Sequence, residues 1–367
     1  MLKQKLANAY SSQATARKIA PFISVILGFI VGYFVLLGLG FDALAGFKAL
    51  FQGGFAGMAS GNYKQFGNVL LQMTPLALTG LSVAFAFRTG LFNIGTPGQM
   101  LVGGFIAVYI GATLTLPVVI HLPLAILGAA VAGSLWAFIP GILKAKYQIN
   151  EVVTSIMMNY IGLYAVQYAV KTYIPGKYET ESATVAATAS LKAEWMTTFF
   201  DGSAVNLGLF IAIIAAIIVW FILEKTTFGY ELKACGFNVD AAEYAGMKVT
   251  RNIVLSMLIA GALAGLAGAT YYIGYTDHVK VGILPTQGFD GIAVALLGLN
   301  APVGVVLASF LFGFMKIGGE FMQALTQVPK ELVDIIIATI IYFSAGALLI
   351  QTILLKVLPK NRNGGGQ

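Results

Sequence analysis

Residues 205–223 read VNLGLFIAIIAAIIVWFIL, nineteen positions without one charged side chain. A helix needs about 20 largely apolar residues to cross the hydrocarbon of a bilayer. This stretch meets that requirement and ends sharply at Glu224 and Lys225. Working outward, comparable segments lie at 20–40, 67–88, 99–116, 121–143, 149–170, 253–274, 287–299, 302–321 and 332–355. The chain is therefore expected to be an all-α polytopic membrane protein of about ten transmembrane helices. The segment 287–299 is short. At about 1.5 Å per residue it covers only part of the bilayer, so it is either tilted and extended by its flanks or a half-helix bordering a protected cavity.

Composition agrees. The 367 residues are 58% hydrophobic and 10% charged, against roughly a quarter charged in soluble domains, and the mean hydropathy is +0.84. The formal charge of +7 then has a topological explanation. With the N-terminus inside, the inner side receives Lys3, Lys5, Arg17, Lys18, Arg88, Lys144, Lys146, Lys225, Lys233, Lys248, Arg251, Lys356, Lys360 and Arg362. The outer side receives Lys48, Lys64, Lys171, Lys177, Lys192, Lys280 and Lys330, and Lys316 falls within a span. Fourteen against seven supports an orientation with both termini in the cytoplasm. Charges spread in this way favour membrane topology over a nucleic-acid face, which would want them clustered on a soluble surface. The single cysteine, Cys235, excludes an internal disulfide. The basic start of the chain runs into an apolar segment too long for a signal-peptide core, so that segment is read as a retained first helix.

The expected organisation is a cytoplasmic segment over 1–19, a transmembrane permease domain over 20–355 and a disordered cytoplasmic tail over 356–367. Within the domain, 171–204 is expected to form an extracellular cap and 224–252 a cytoplasmic loop. Gly28 and Gly32, and Gly261 and Gly265, carry the small-residue spacing that lets helix backbones approach closely.

Four segments hold the candidate chemistry. In Arg88-Thr-Gly-Leu-Phe-Asn-Ile-Gly-Thr-Pro-Gly-Gln99, Gly90, Gly95, Pro97 and Gly98 interrupt helix. The freed backbone groups, with Asn93 and Gln99, suit either a polar binding site or a plain turn capped by Asn93. Glu151 stands at the entrance of a helix that carries Asn159 and Tyr160 farther in. The acid suits a cap-region charge, while Asn159 either bonds a neighbouring helix or faces a pathway. Asp290, at the start of 287–299, is an ionisable residue at membrane depth and also a potential cap. Lys316 and Glu320, four apart, are spaced for a mutual ion pair. His121 and His278 are read as loop residues near outer ends of spans.

In the loop 224–252, Asn238 is expected to cap a short helix that Gly246 ends. Such an element would present Ala241, Ala242, Tyr244 and Ala245 to a cytosolic partner or lie on the bilayer. No G-x-x-x-x-G-K-[ST] loop occurs: Gly176-Lys177 is followed by Tyr178. H-E-x-x-H, G-x-S-x-G and Cys/His metal patterns are also missing from the sequence, so no catalytic constellation and no metal site is expected.

Taken together, FRTGLFNIGTPGQMLVGG (87–104), NEVVTSIMMNYI (150–161), FGYELKACGFNVDAAEYAGM (228–247) and GFDGIAVALLGLNAPVGVVLASFLFG (288–313) resemble the membrane subunits of bacterial ABC importers. The likeness is to the ribose and branched-chain amino acid permease superfamily, and within it to the nucleoside-uptake branch served by BMP-type lipoproteins. It implies a type II ABC importer fold in the bacterial cytoplasmic membrane, with no cofactor on this chain and ATP-Mg on a partner ATPase. The implied partners are that ATPase, a second homologous permease forming a heterodimer, and an extracellular substrate-binding lipoprotein. Asn93, Gln99, Glu151, Asn159 and Asp290 are thereby placed in the substrate path. Gly236, Asn238, Ala241, Ala242, Tyr244 and Gly246 are placed at the ATPase contact. Phe237 departs from the acid often expected there and makes that contact less charged. A sugar or branched-chain amino acid permease, or an ion-coupled transporter using Glu151 or Asp290, are the alternative functions.

Overall fold

The structure is a computed structural model that describes residues 2–346 and 350–354. Fourteen α-helices are described. They are α1 (Leu2–Gly38), α2 (Ala43–Gly53), α3 (Lys64–Arg88), α4 (Thr96–Thr113), α5 (Val118–Tyr147), α6 (Glu151–Tyr173) and α7 (Glu194–Phe199). There follow α8 (Gly208–Lys225), α9 (Thr227–Phe237), α10 (Val239–Tyr244), α11 (Val249–Tyr271), α12 (Thr286–Leu297), α13 (Pro302–Thr326) and α14 (Glu331–Ala345). Ten of them, α1, α3, α4, α5, α6, α8 and α11–α14, fall on the ten expected spans, and the protein is an all-helical polytopic membrane protein. Six helices are individually long and apolar enough to cross a bilayer. The expected tail over 356–367, with residues 347–349 and 355 of the last span, lies outside the described residues.

Side-chain size is distributed as lipid demands. Along α8 the buried residues are Gly208, Ala212, Ala215, Val219 and Leu223, whereas Ile213, Ile214, Ile217 and Ile218 are exposed. A water-soluble helix would turn those isoleucines inward. On α5 the buried stripe repeats every fourth residue: His121, Ala125, Ala129, Gly133, Ala137, Gly141 and Ala145. Small residues at this spacing let two backbones close on each other where lipid offers no hydrophobic drive. α11 is the partner. A β-carbon on Gly133 would lie 2.3 Å from the Gly261 carbonyl oxygen and 2.8 Å from Gly265 Cα. The close approach expected of Gly261 and Gly265 is thus made.

The chain divides into two compact units. The larger, residues 54–317, is centred on α3 and α11, whose most apolar windows are 89% and 67% buried, with α5 and α8 at its periphery at 22% and 28%. The smaller comprises residues up to Gly53 and from Gly318 onward. In it α1 packs on α14 through Gly28 and Gly32, whose absent side chains make room for Ile340 and Ile336. The rings of Phe29 on α1 and Phe47 on α2 meet at 5.9 Å.

The segment 171–204 is folded. It is pinned to the residues that follow α11 by Ser182 N–H to Val279 O, Val185 N–H to Asp277 O and Leu191 N–H to Ile273 O, each at 3.0 Å. His121 is not a loop residue. It is fully buried in the first turn of α5, its ring nitrogens 2.8 Å from Thr188 Oγ1 and 3.0 Å from Ile110 O, so it staples this cap to the helices below.

Candidate functional site: a re-entrant segment and two half-helices

α3 ends at Arg88 because Thr89 and Gly90 break the helix, Gly90 with φ +76°. The chain then turns back into the bundle. Asn93 is fully buried, and its Nδ2 points at Ser82 Oγ (3.4 Å), six residues inside the end of α3 or about 9 Å of helix rise. Residues 89–95 are therefore re-entrant rather than a surface turn. α4 starts at this depth. Pro97, lacking an N–H, is accommodated in its first turn, so Pro97 and Gly98 open a helix rather than end one.

The freed polar groups are satisfied internally. Asn93 and Gln99 form a reciprocal amide pair, Asn93 Nδ2–H donating to Gln99 Oε1 (2.9 Å) and Gln99 Nε2–H to Asn93 Oδ1 (3.0 Å). Asn159 lies eight residues, about 12 Å, into α6 and accepts from Gly98 N–H while donating to Ile94 O, both at 2.9 Å. All three amides are at most 2% exposed. At this depth an unmet backbone group is costly, so these side chains hold the re-entrant turn in place. Ser155, one turn before Asn159 and against Gly95, is buried with its hydroxyl unpartnered.

α12 settles the question of the short span. Its 12 residues rise about 18 Å. Its N-terminus meets that of α4 within the bundle: a β-carbon on Gly288 would lie 2.5 Å from Pro97 Cα. Thr79 Oγ1–H donates to Gln287 O (2.9 Å), and past the other end of α12 Asn300 O accepts from Arg88 Nε–H (2.9 Å). α12 is a half-helix covering the Arg88 side.

The two expected acids are both paired. Glu151 Oε2 lies 3.0 Å from Lys144 Nζ, and Asn150, not Glu151, caps α6 by accepting from the Val152 and Val153 N–H groups. Asp290 Oδ2 lies 2.6 Å from Lys316 Nζ. Lys316 is thus spent on Asp290 rather than on Glu320. No group of three or more His, Cys, Asp or Glu able to hold a metal occurs among the described residues.

The loop 224–252 forms two short helices at the Arg88 end. Asn238 caps α10 as expected, accepting from Ala241 N–H at 2.9 Å, and Gly246 ends it at φ +82°. Tyr244 and Phe237 project outward at 98% and 90% exposed, and Ala241 and Ala245 are exposed. Ala242 is the exception. At 3% exposed it anchors α10 instead of presenting outward, because the helix must bury one face to stand on the bundle. Gly236, before the cap, touches main chain: its β-carbon would lie 2.4 Å from Arg88 O and 3.1 Å from Gly90 N. The exposed element therefore rests on the main chain where the re-entrant segment begins. Beside α10 opens a recess of about 670 Å³ lined by residues including Gln148, Glu243, Lys248 and Arg251.

Sequence reasoning missed Ser82, Thr79, Gln287 and the Asp290–Lys316 pairing. The available signal was weak: hydroxyls inside α3, and one lysine within a span.

Residues 65–345 match the family described as branched-chain amino acid transport system / permease component. The guanosine ABC transporter permease protein NupP of Bacillus subtilis is 46% identical over 94% of this chain and 98% of its own length. The nucleoside ABC transporter permease protein NupB of Lactococcus lactis is 38% identical over 93% of this chain and 94% of its own. The glucose ABC transporter permease protein TsgB13 of Haloferax volcanii is 32% identical over 88% and 86%.

Proposed function

Because the chain belongs to the branched-chain amino acid transport system / permease component family, we propose that it is the permease subunit of an ATP-driven importer of nucleosides. The observation that carries the substrate class is its 46% identity, along nearly the whole of both chains, to a guanosine permease. As a transport component it works in an ABC system with an ATPase and permease partners. A second, non-identical permease completes the path, an extracellular lipoprotein delivers substrate to the cap over 171–204, and both termini lie in the cytoplasm of a bacterium. ATP-Mg is bound by the ATPase, and this chain needs no cofactor of its own.

The ATPase docks on α10 and its flanks, with Tyr244, Phe237 and Ala241 as the contact, Asn238 and Gly246 setting the element's limits and Ala242 its anchor. Movement there reaches the re-entrant segment through Gly236. Asn93, Gln99 and Asn159 shape the path by fixing the two half-helices, and Glu151 and Asp290 stand at its Arg88 end and its middle.

Reconstitution with the ATPase, the second permease and the lipoprotein tests this reading. Labelled guanosine enters vesicles only with ATP. Tyr244→Glu with Phe237→Asp leaves the chain folded but loses the ATPase on purification and abolishes uptake. Retention of both would overturn the docking role. Uptake that follows an ion gradient without any ATPase would overturn the importer reading in favour of an ion-coupled transporter. The glucose-permease relative favours one second reading, a sugar importer. Labelled glucose in the same vesicles decides between them.

A further inference from the structure

Asp290 on α12 and Lys316 on α13 form an ion pair at 2.6 Å. Gly291 packs directly on Thr79, and Thr79 lies nine residues, about 13 Å of rise, inside the Arg88 end of the 25-residue α3. The pair therefore sits near the middle of the bilayer. Each side chain nonetheless keeps an open side, 28% for Asp290 and 24% for Lys316. Charges at this depth are costly against lipid and face water or protein instead. The amides nearby have no such openness. Asn93 and Gln99 are closed on each other, and Asn159 is committed to Gly98 and Ile94. Asp290 accepts from Lys316 through Oδ2, leaving Oδ1 without a partner among the described residues, while the ammonium has two further N–H groups to give.

The geometry points to the Asp290–Lys316 pair as the contact for the vicinal ribose hydroxyls of the cargo, an inference that rests on the nucleoside reading above. The 2′- and 3′-hydroxyls donate to the carboxylate, and one of their oxygens accepts from the Lys316 ammonium. A vicinal diol brings two donors and two acceptors at the spacing of a carboxylate edge and carries no charge. The pair is itself neutral overall, so uncharged cargo meets no net field. Lys316 also keeps Asp290 from acting as a bare cation site in the path. A site built to hydrogen-bond hydroxyls rejects an analogue lacking them, because its buried polar groups are left unpaired.

The test compares ATP-driven uptake of a ribonucleoside and its 2′,3′-dideoxy counterpart, each at saturating concentration, in vesicles carrying the complete importer. Selectivity of the delivery protein enters wild type and variant alike, so a change in the ratio belongs to this chain. Asp290→Asn is expected to lower the ribonucleoside preference about tenfold while dideoxynucleoside uptake stays within about threefold. Because that change orphans Lys316, Asp290→Asn/Lys316→Gln is measured beside it and is expected to lower the preference similarly. An unchanged ratio in the double variant overturns the proposal. So does loss of assembly, or of both uptakes together, which would assign the pair to structure. Absence of any ATP-driven nucleoside uptake by the wild type would sink the transport reading instead.

Discussion

Gly236→Ala isolates the link between the exposed α9–α10 element and the membrane-embedded site. The new methyl would lie 2.4 Å from the Arg88 carbonyl oxygen and 3.1 Å from Gly90 N. Ordinary carbon–oxygen contact needs about 3.4 Å, so about 1 Å of displacement is required. Both neighbours are main chain, and no rotamer change relieves the clash. Overpacking of this kind costs about 1–3 kcal/mol. The displacement falls on α9 and α10, because the end of α3 is held by Arg88 to Asn300 and by Thr89 Oγ1–H to Ser256 Oγ at 2.8 Å. The outer face of α10 is unchanged, so docking of the ATPase proposed to bind there is expected to persist. The expected phenotype is uncoupling: near-normal ATP hydrolysis by the assembled importer with uptake per ATP reduced several-fold. Gly38→Ala is the control, since nothing lies within 4 Å of its added methyl. Wild-type uptake per ATP in Gly236→Ala would refute the idea that this contact transmits movement.

Asn159→Ala strips partners from Gly98 N–H and Ile94 O, two buried backbone groups worth about 1–3 kcal/mol each when left unmet. Thermal unfolding in detergent should show a loss of about 2 kcal/mol or more, and Asn159→Gln should not restore it because the longer amide cannot reach both groups. Ser155→Ala, which removes a buried hydroxyl that has no partner, is expected to be neutral or slightly stabilising in the same assay. The single buried cysteine makes a clean background for topology. An impermeant maleimide should label Lys177→Cys in right-side-out vesicles and Tyr244→Cys in inside-out ones, and the reverse pattern would invert the proposed orientation.

The spans were legible because lipid imposes a length and an apolarity that any helix facing it must show. Helix boundaries were not. α1 continues back to Leu2, well before the apolar segment begins, since hydropathy marks where a helix enters lipid and not where its hydrogen bonding starts. α2 was invisible as an element: Asp42, Lys48 and two glycines dilute a stripe of Ala43, Gly46, Ala49 and Leu50 that buries itself in the smaller unit. At the site, the sequence left Asn93 open between surface turn and buried group. The difference lies in Ser82 and Asn159, brought alongside by the packing of α3 and α6, and no local pattern encodes that. Ala242 was misplaced for a related reason. A six-residue helix of mixed character does not announce which face it buries.

The reciprocal amide pair has a consequence for how this chain can change over generations. Asn93 and Gln99 each complete the other, and neither has water to fall back on. Substituting Asn93 strands the Gln99 amide at depth, substituting Gln99 leaves Asn93 with only its longer bonds to Ser82 and Gly95, and an acid at either position sets acceptor against acceptor. The two positions therefore form a single heritable character. Change at these two positions is expected to be concerted, whereas a partly exposed position such as Asp290, at 28% against 0% and 1% for the two amides, can be exchanged on its own without unsettling the turn.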